Sequence, residues 1–302
     1  MADSARRFDT PARESYNLAV MTDVANPYIT DSGRPALRKS VVAFVDMLGY
    51  KDMVSEAHER GTSAKLLQEL HDALRLAFLH LNGRDDDGNP VLALPLPAKE
   101  FYAIRAFTDN VVIGYPVHDD AEFEFGLIFS QLGLFQLELS NKGFFMRGAI
   151  SFGDLFIDDI TVFGDGLVDA FEGESKCARD PRIILTESAQ QLVKDHLKYY
   201  ADPKDSPQAA EVYKDADGRY FLNYLEFTGD GEHYDEPAIL GHKSAVVAKL
   251  QEFRNRPDVW AKYAWVAGYH NYFCPAFNVE VQQSVRQPLS VFCSRGTSWV
   301  GC

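Results

Sequence analysis

The sequence is poor in the residues that build disulfide frameworks and zinc sites. It has four cysteines in 302 residues, and no two of them form a C-x-x-C pair. With no C-x-x-C pair to complete it, no set of histidines and cysteines has the spacing of a zinc site. The sequence therefore predicts neither a disulfide-stabilised scaffold nor a zinc module. It predicts a protein of a reducing, cytoplasmic compartment.

Positive charge is also scarce. The chain has 30 Lys and Arg against 44 Asp and Glu, a formal net charge of −14. Sequence-independent binding to nucleic acid or to an anionic lipid surface requires a basic face, so neither partner is predicted. No run approaches the ~18 apolar residues of a membrane span. Residues 2–14 are polar and charged, without the apolar segment of a signal peptide.

A strand that ends on a carboxylate is the most informative feature that is present. Residues 40–46 are β-branched and aromatic up to Asp46, and Leu48 and Gly49 then turn the chain toward a helix. An ionised carboxylate at the end of an apolar strand is costly unless a cation meets it. A divalent metal that carries a nucleoside triphosphate would meet it, and the glycine turn would present backbone N–H groups to the phosphates.

Hydrophobic periodicity divides the remaining chain into strands and helices. Residues 1–37 are predicted to be a loosely packed arm, 38–200 the catalytic domain, and 201–302 an extension on the core or a dimer interface. Residues 202–207 resemble a linker, and 153–159 a tight connection. The predicted strands are 40–46, 101–107, 111–115, 144–152, 160–163 and 182–185; the predicted helices are 50–60, 62–81, 119–139, 164–176, 187–198, 241–255 and 257–273.

The order β-α-β-β-α-β through residue 152 predicts an α+β fold, the split βαβ arrangement of ferredoxin-like and palm domains, with extra C-terminal helices and strands. In that topology the first strand is central and antiparallel to the third. The end of the first strand, with Asp46, therefore lies against the start of the third, with Asp109. Alone, Asp46 is an ordinary helix cap and Asp109 an ordinary turn residue. Together they can hold two metals about 3.5–4 Å apart.

Four short motifs carry a family resemblance over about residues 38–195. In order and spacing they resemble class III nucleotidyl cyclases, and most closely the bacterial pyrimidine cyclases of the Pycsar antiphage system. The motifs are FVDMLGY at 44–50, FTDN at 107–110, MRGAISFG at 146–153 and VFG at 162–164.

The resemblance implies a homodimer with active sites at the subunit interface and two divalent metal ions, Mn²⁺ or Mg²⁺. It implies attack of the ribose 3′-hydroxyl of a nucleoside triphosphate on the α-phosphate, with release of pyrophosphate. Asp46 and Asp109 match the metal-binding aspartates, and the main-chain carbonyl of Met47 completes one metal shell. The turn that wraps the triphosphate is matched by Leu48, Gly49, Tyr50 and Lys51.

Two departures from the family pattern concern the base. Purine cyclases use either a Lys–Asp or a Glu–Cys set for recognition, and the matching positions here are Arg105 and Thr161. Arginine donates to a carbonyl and never accepts, which suits the oxygens of a pyrimidine. Tyr50 is bulky and would narrow the pocket. These residues therefore favour UTP or CTP over ATP. They do not separate the two pyrimidines, and UTP is the preferred prediction with CTP as the alternative.

Two further departures concern catalysis. The Asn and Arg that stabilise the transition state in purine cyclases match Val168 and Glu172, which cannot do so. Another cation must then cover the reacting phosphate. The nearby candidates are Lys51, Lys176, Arg179 and Arg182.

Three functions follow from these residues. The first is a uridylate cyclase whose product, by the resemblance, activates a separate effector that stops phage growth. The second is a degenerate cyclase domain that senses a nucleotide without turning it over. The third is a diguanylate cyclase or polymerase-type palm, which shares the β-α-β-β topology. It lacks support, because the hairpin here reads Phe-Thr-Asp-Asn at 107–110 and not Gly-Gly-(Asp/Glu)-Glu-Phe.

Overall fold

A computed structural model describes residues 26–81, 101–229, 233–276 and 294–295. The predicted loop at 82–97 lies outside the described residues. So does most of the strand-like end predicted from residue 284. Cys177 and Cys274 are free thiols within the described part.

Four strands form the antiparallel centre of the sheet. Their order is β2-β3-β1-β4, with β1 paired to β3 on one side and to β4 on the other. This order confirms the predicted split βαβ arrangement and the α+β fold class. The elements of this unit are β1 (Arg38–Met47), α1 (Tyr50–Glu59), α2 (Ser63–Leu81), β2 (Ala103–Phe107), β3 (Asn110–Pro116), α3 (Glu122–Asn141) and β4 (Met146–Ile157).

Strand β1 is apolar on both faces because both faces are covered. Val41, Ala43 and Val45 pack in one core cluster with α2 and α3. Val42 and Phe44 pack on the opposite face in a second cluster. Strand β2 is as apolar in sequence as a central strand, but it is the edge of the sheet and its last two residues are exposed.

The stretch before β1 lies on the sheet. Tyr28 is fully buried, and its hydroxyl donates to Ser40 Oγ at 2.8 Å. Gly114 of β3 makes room for this ring, since a Cβ there would lie 2.5 Å from the Tyr28 hydroxyl. The arm predicted for 1–37 is therefore anchored to the sheet at Asn26 and Tyr28, while its residues 31–35 are exposed.

The chain beyond β4 extends the same sheet. The strand order continues β4-β6-β8-β7-β9, and β5 pairs with the end of β4. Strand β4 runs to Ile157, so the predicted tight connection at 153–159 is wrong. The stretch at 202–207, which resembles a linker in sequence, contains a short 3₁₀ turn and is followed by a short helix and β7. These elements are β5 (Val162–Phe163), α4 (Asp165–Cys177), β6 (Ile183–Leu185), α5 (Glu187–His196), α6 (Gln208–Glu211), β7 (Val212–Lys214), β8 (Tyr220–Leu222), α7 (Glu236–Glu252), α8 (Pro257–Ala276) and β9 (Ser294–Arg295).

Helix α8 places its aromatic residues in the core. Tyr263, Trp265, Tyr269 and Phe273 are all buried, and they pack with β7 and β8 in one cluster. Of the helices in the described ranges, none combines the length and apolarity needed to cross a bilayer.

Two buried histidines join α7 to α8. His242 Nδ1 and His270 Nδ1 are 3.0 Å apart, and Tyr224 Oη lies 2.7 Å from His242 Nε2. Burial lowers the pKa of His242 well below its usual value, and the neighbouring His270 adds to this. Burial, with Lys243 nearby, lowers the pKa of His270 to about 4. Both rings are therefore neutral in the folded chain at neutral pH.

This pair predicts a loss of stability in mild acid. Below the ordinary histidine pKa of 6.5, His270 is protonated in the unfolded chain but not in the folded chain. The free energy of unfolding therefore decreases as the pH is lowered. From pH 7.5 to pH 5 this residue alone accounts for about 2 kcal/mol. Urea unfolding at the two pH values should show a smaller loss for His270→Gln than for the wild type. The exposed His58→Gln should behave as wild type, and equal losses in all three proteins would contradict the assignment.

Candidate active site

The structure brings Asp46 and Asp109 together at one end of the sheet. Asp46 is the register partner of Asn110, and the Met47 amide donates to the Asp109 carbonyl at 3.0 Å. Contact with the Asp109 carboxylate is one of the causes that raise the pKa of Asp46. The meeting of these residues follows from the antiparallel pairing of β1 with the hairpin, as the topology predicts.

A guanidinium and a third carboxylate complete this cluster. Arg147 lies directly opposite Asp46 on β4, and its Nε and Nη2 both lie 3.1 Å from Asp46 Oδ2. Arg147 Nη2 also lies 2.8 Å from Oε1 of Glu174 on α4. Two carboxylates therefore share one guanidinium, and Asp109 lies at the same end of the sheet.

Burial is the main influence on the pKa values of the cluster. Burial raises the pKa of Asp46, Arg147 opposes the rise, and Asp109 adds to it. Burial likewise raises the pKa of Glu174, again opposed by Arg147. A cation placed between the carboxylates would lower both pKa values, because an opposite charge favours the ionised form.

The donor atoms suit a hard divalent cation. Asp46 and Asp109 offer carboxylate oxygens, which Mg²⁺ and Mn²⁺ prefer. Within the described ranges, no three or more His, Cys, Asp or Glu side chains are arranged to hold a metal by themselves. Mg²⁺ is commonly bound by one or two carboxylates, with water and substrate phosphates as the other ligands. These residues fit such a shared site, in which the main-chain carbonyl of Met47 is the further protein ligand proposed.

The turn after β1 has the expected glycine geometry. Gly49 has a φ of 77°, a left-handed conformation that favours glycine, and α1 begins at the next residue. The first N–H groups of a helix have no partner within it, which leaves those of Tyr50 and Lys51 free of intrahelical bonds. The Leu48 amide instead donates to the Phe145 carbonyl at 2.8 Å. Leu48 is therefore a poor phosphate ligand through its amide.

An aromatic cavity of about 390 Å³ opens beside the acidic cluster. Its walls include Phe44, Phe107 and Phe171, and its polar side chains are Arg105 and Thr161. The ring centroids of Phe44 and Phe171 are 5.5 Å apart in an edge-on contact. The structure thus places the two residues predicted to read the base in one cavity.

Tyr50 lies elsewhere. It is half-buried and packs against the core cluster on the α2 and α3 face of the sheet. The cavity with Arg105 and Thr161 is on the opposite face, beside Phe44. The prediction that Tyr50 narrows the base pocket is therefore wrong in this conformation, because the tyrosine ring belongs to the core.

Arg105 is held at the mouth of the cavity by an acidic residue. Arg105 Nη1 lies 3.8 Å from Asp159 Oδ1, and the Arg105 side chain remains 37% exposed. At that exposure the ion pair is a weak one. The guanidinium is therefore available to a ligand that enters the cavity.

The positions predicted to be catalytically deficient are on the surface of α4. Val168 is 57% exposed, and Glu172 pairs with Lys176 at 2.9 Å. Arg182 is wrong as a candidate for the missing cation, because its side chain is 2% exposed and its donors bind the carboxylates of Asp215 and Asp217. Lys51 and Arg179 are exposed.

Sequence reasoning missed Glu174. The buried face of α4 consists of Gly166, Ala170, Gly173 and Glu174, three small residues and one acid. A glutamate at helical spacing among buried small residues is a usable signal, because a buried carboxylate is rare without a partner. Its partner, Arg147, belongs to the MRGAISFG motif at 146–153.

Comparison with known proteins adds little to this geometry. The sequence matches no family model and no curated protein. Among solved structures it is similar to a class III adenylyl cyclase-like ATP-binding protein from Pseudomonas aeruginosa, with 11% identity and a TM-score of 0.39. The match covers 64% of this chain and 40% of that protein. A likeness of this size carries no argument about chemistry, which rests on the residues described above.

Proposed function

We propose that this protein is a nucleotidyl cyclase that converts UTP into 3′,5′-cyclic UMP and pyrophosphate, with two divalent metal ions. The observation that carries the proposal is the position of the Asp46 and Asp109 pair next to an aromatic cavity with Arg105 and Thr161. Acids that bind metal and phosphate and a pocket for a flat base are the two parts that a nucleotide site requires.

The spacing of these two parts suits a nucleoside triphosphate. Phe44 in the cavity wall and Asp46 in the acidic cluster are two residues apart on the same face of β1. Residues at that separation on a strand are about 7 Å apart. A ribose spans such a distance between a base in the cavity and an α-phosphate beside the carboxylates.

The chain's own residues bind and orient the substrate. Asp46 and Asp109 would hold the cations, which would supply charge neutralisation at the phosphates and activation of the 3′-hydroxyl. The 3′-oxygen forms a bond to the α-phosphorus, the bond to the bridging oxygen of pyrophosphate breaks, and the hydroxyl proton leaves to solvent. The N-terminal amides of α1 favour the negative charge of the phosphates.

A homodimer is part of the proposal. Large apolar side chains are exposed around the mouth of the cavity, and a second copy of the chain would cover them. The same contact would bring residues of the partner to the reacting phosphate, where Val168 and Glu172 cannot serve. These exposed side chains are Phe107, Ile160, Phe163, Val168 and Phe171.

The test is an equimolar mixture of the four nucleoside triphosphates with Mn²⁺, followed by chromatography of the products. Cyclic UMP with released pyrophosphate is expected. Cyclic CMP as the main product would favour CTP, and cyclic AMP or GMP would overturn the pyrimidine assignment.

The base pocket gives a prediction on specificity. Arg105→Met should lower kcat/KM for UTP by roughly tenfold to a hundredfold, because a carbonyl of the base loses a charged donor. The mixture experiment should show less preference for UTP among the remaining products. Arg75→Met on the exposed side of α2 is the matched control and should retain wild-type selectivity. Unchanged selectivity in Arg105→Met would remove Arg105 from the base pocket.

A second candidate is a nucleotide sensor without turnover. Two observations favour it. Arg147 forms an ion pair with Asp46, and the positions on α4 that match the transition-state residues are Val168 and Glu172. A sensor would bind UTP and leave it intact after long incubation with Mn²⁺.

In the cyclase proposal the product serves as a second messenger for a separate effector in antiphage defence.

A further inference from the structure

We propose that Glu174 is a positioning residue that retains Arg147 when a divalent cation takes its place on Asp46. The inference rests on the proposed function, because it concerns the same acidic cluster. Its basis is one guanidinium shared by two carboxylates: Arg147 Nη2 lies 3.1 Å from Asp46 Oδ2 and 2.8 Å from Glu174 Oε1.

The contact with Asp46 competes with a metal. Two nitrogens of Arg147 converge on Oδ2, one of the oxygens that a cation would require. If Asp46 were the sole anionic partner, a metal ion would displace a half-buried guanidinium and leave it unpaired. An unpaired guanidinium would make metal binding less favourable.

Glu174 removes this cost by position. It is 4% exposed on the inner face of α4, and its contact with Arg147 is the shorter of the two. The guanidinium can therefore leave Asp46 and keep a negatively charged partner in an ion pair. The formal charges of the three carboxylates and of Arg147 sum to −2, which one divalent cation balances.

Glu174 need not bind the metal to have this effect. Its carboxylate acts through Arg147, so the two residues should be energetically coupled in metal binding. A simple contribution of negative charge would instead be independent of Arg147. A double-mutant cycle separates these two roles.

The first measurement is the affinity for Mn²⁺ without nucleotide. Binding is monitored through the electron paramagnetic resonance signal of free Mn²⁺. Glu174→Gln should weaken the affinity about tenfold, as supporting residues of a metal site commonly do. Glu172→Gln is the matched control on the same helix: it removes the same charge from an exposed position that pairs with Lys176. Its affinity should stay within about twofold of wild type.

The second measurement repeats the comparison in an Arg147→Gln background. There the effect of Glu174→Gln should shrink to less than about twofold. An effect that stays tenfold in this background would overturn the proposal, and so would equal affinities of Glu174→Gln and the wild type.

Two controls keep the outcome clear. If Glu174→Gln strongly lowers the thermal unfolding temperature, Glu174→Asp is used as a second variant. It retains the charge and should bind Mn²⁺ more tightly than Glu174→Gln does. Wild-type binding of Mn²⁺ that is lost in Asp46→Asn, together with no effect of Glu174→Gln, sinks the inference and leaves the proposed function standing. No Mn²⁺ binding by the wild type, with or without UTP, sinks the proposed function itself.

Discussion

Replacing Asp46 or Asp109 with asparagine should lower the rate of cyclic nucleotide formation by roughly a thousandfold or more. Each carboxylate is proposed to hold cations at the phosphates, and groups that stabilise transition-state charge are worth about 10²–10³ each. Asparagine has nearly the same shape, so the backbone contact between Met47 and Asp109 is retained. The measurement is release of pyrophosphate from UTP with Mn²⁺ at a saturating concentration.

A matched substitution guards against a trivial loss of structure. Asp119→Asn changes an exposed aspartate near the start of α3 and should leave turnover unchanged. Thermal unfolding and the size of the assembly should be the same for all three variants. Full activity of Asp46→Asn or Asp109→Asn would refute the metal roles and, with them, the cyclase proposal.

Arg182→Gln should lower the free energy of unfolding by about 3–5 kcal/mol. Arg182 is fully enclosed between β6 and the C-terminal part of the chain, where it contacts the carboxylates of Asp215 and Asp217. Removing one partner of a buried ion pair leaves an uncompensated charge, which is the costly case. Asp215 keeps a hydrogen bond from Trp265 Nε1 at 2.6 Å, so part of its stabilisation remains.

Urea unfolding of Arg182→Gln and of Arg179→Gln provides the comparison. Arg179 lies three residues earlier on the surface, and its replacement should change stability by less than about 0.5 kcal/mol. A small effect of Arg182→Gln on stability with a large effect on turnover would restore Arg182 as a ligand of the substrate phosphates. The structure argues for the opposite result.

The central sheet and the pairing of Asp46 with Asp109 were predictable because they depend on local pattern and topology. The apolar run at 40–46 requires burial on both faces, and the hairpin at 101–115 has turn residues at its tip. Once the strand order is split βαβ, the two carboxylates meet without any further information. The edge position of β2 was missed because hydrophobic content alone does not distinguish an edge strand from a central one.

Side-chain partners were less predictable. The assignment of Arg182 as a surface cation failed because the aspartates that enclose it are 33 and 35 residues away along the chain. Tyr50 was placed in the base pocket, whereas the start of α1 turns its ring toward the core beneath α2 and α3. Neither outcome is encoded in local spacing, since each depends on which face of an element the tertiary structure covers.

The sequence by itself determined the α+β order, the acid at the end of the first strand and the second acid in the hairpin turn. It did so because strand periodicity and chain order restrict how such a sheet can pair. Only the tertiary structure decided that Arg147 and Glu174 join those acids and that Arg105 and Thr161 share one cavity. Helix α4 contributes Glu174 to the acidic cluster and Phe171 to the cavity wall, and its packing on the sheet depends on contacts between residues distant in sequence.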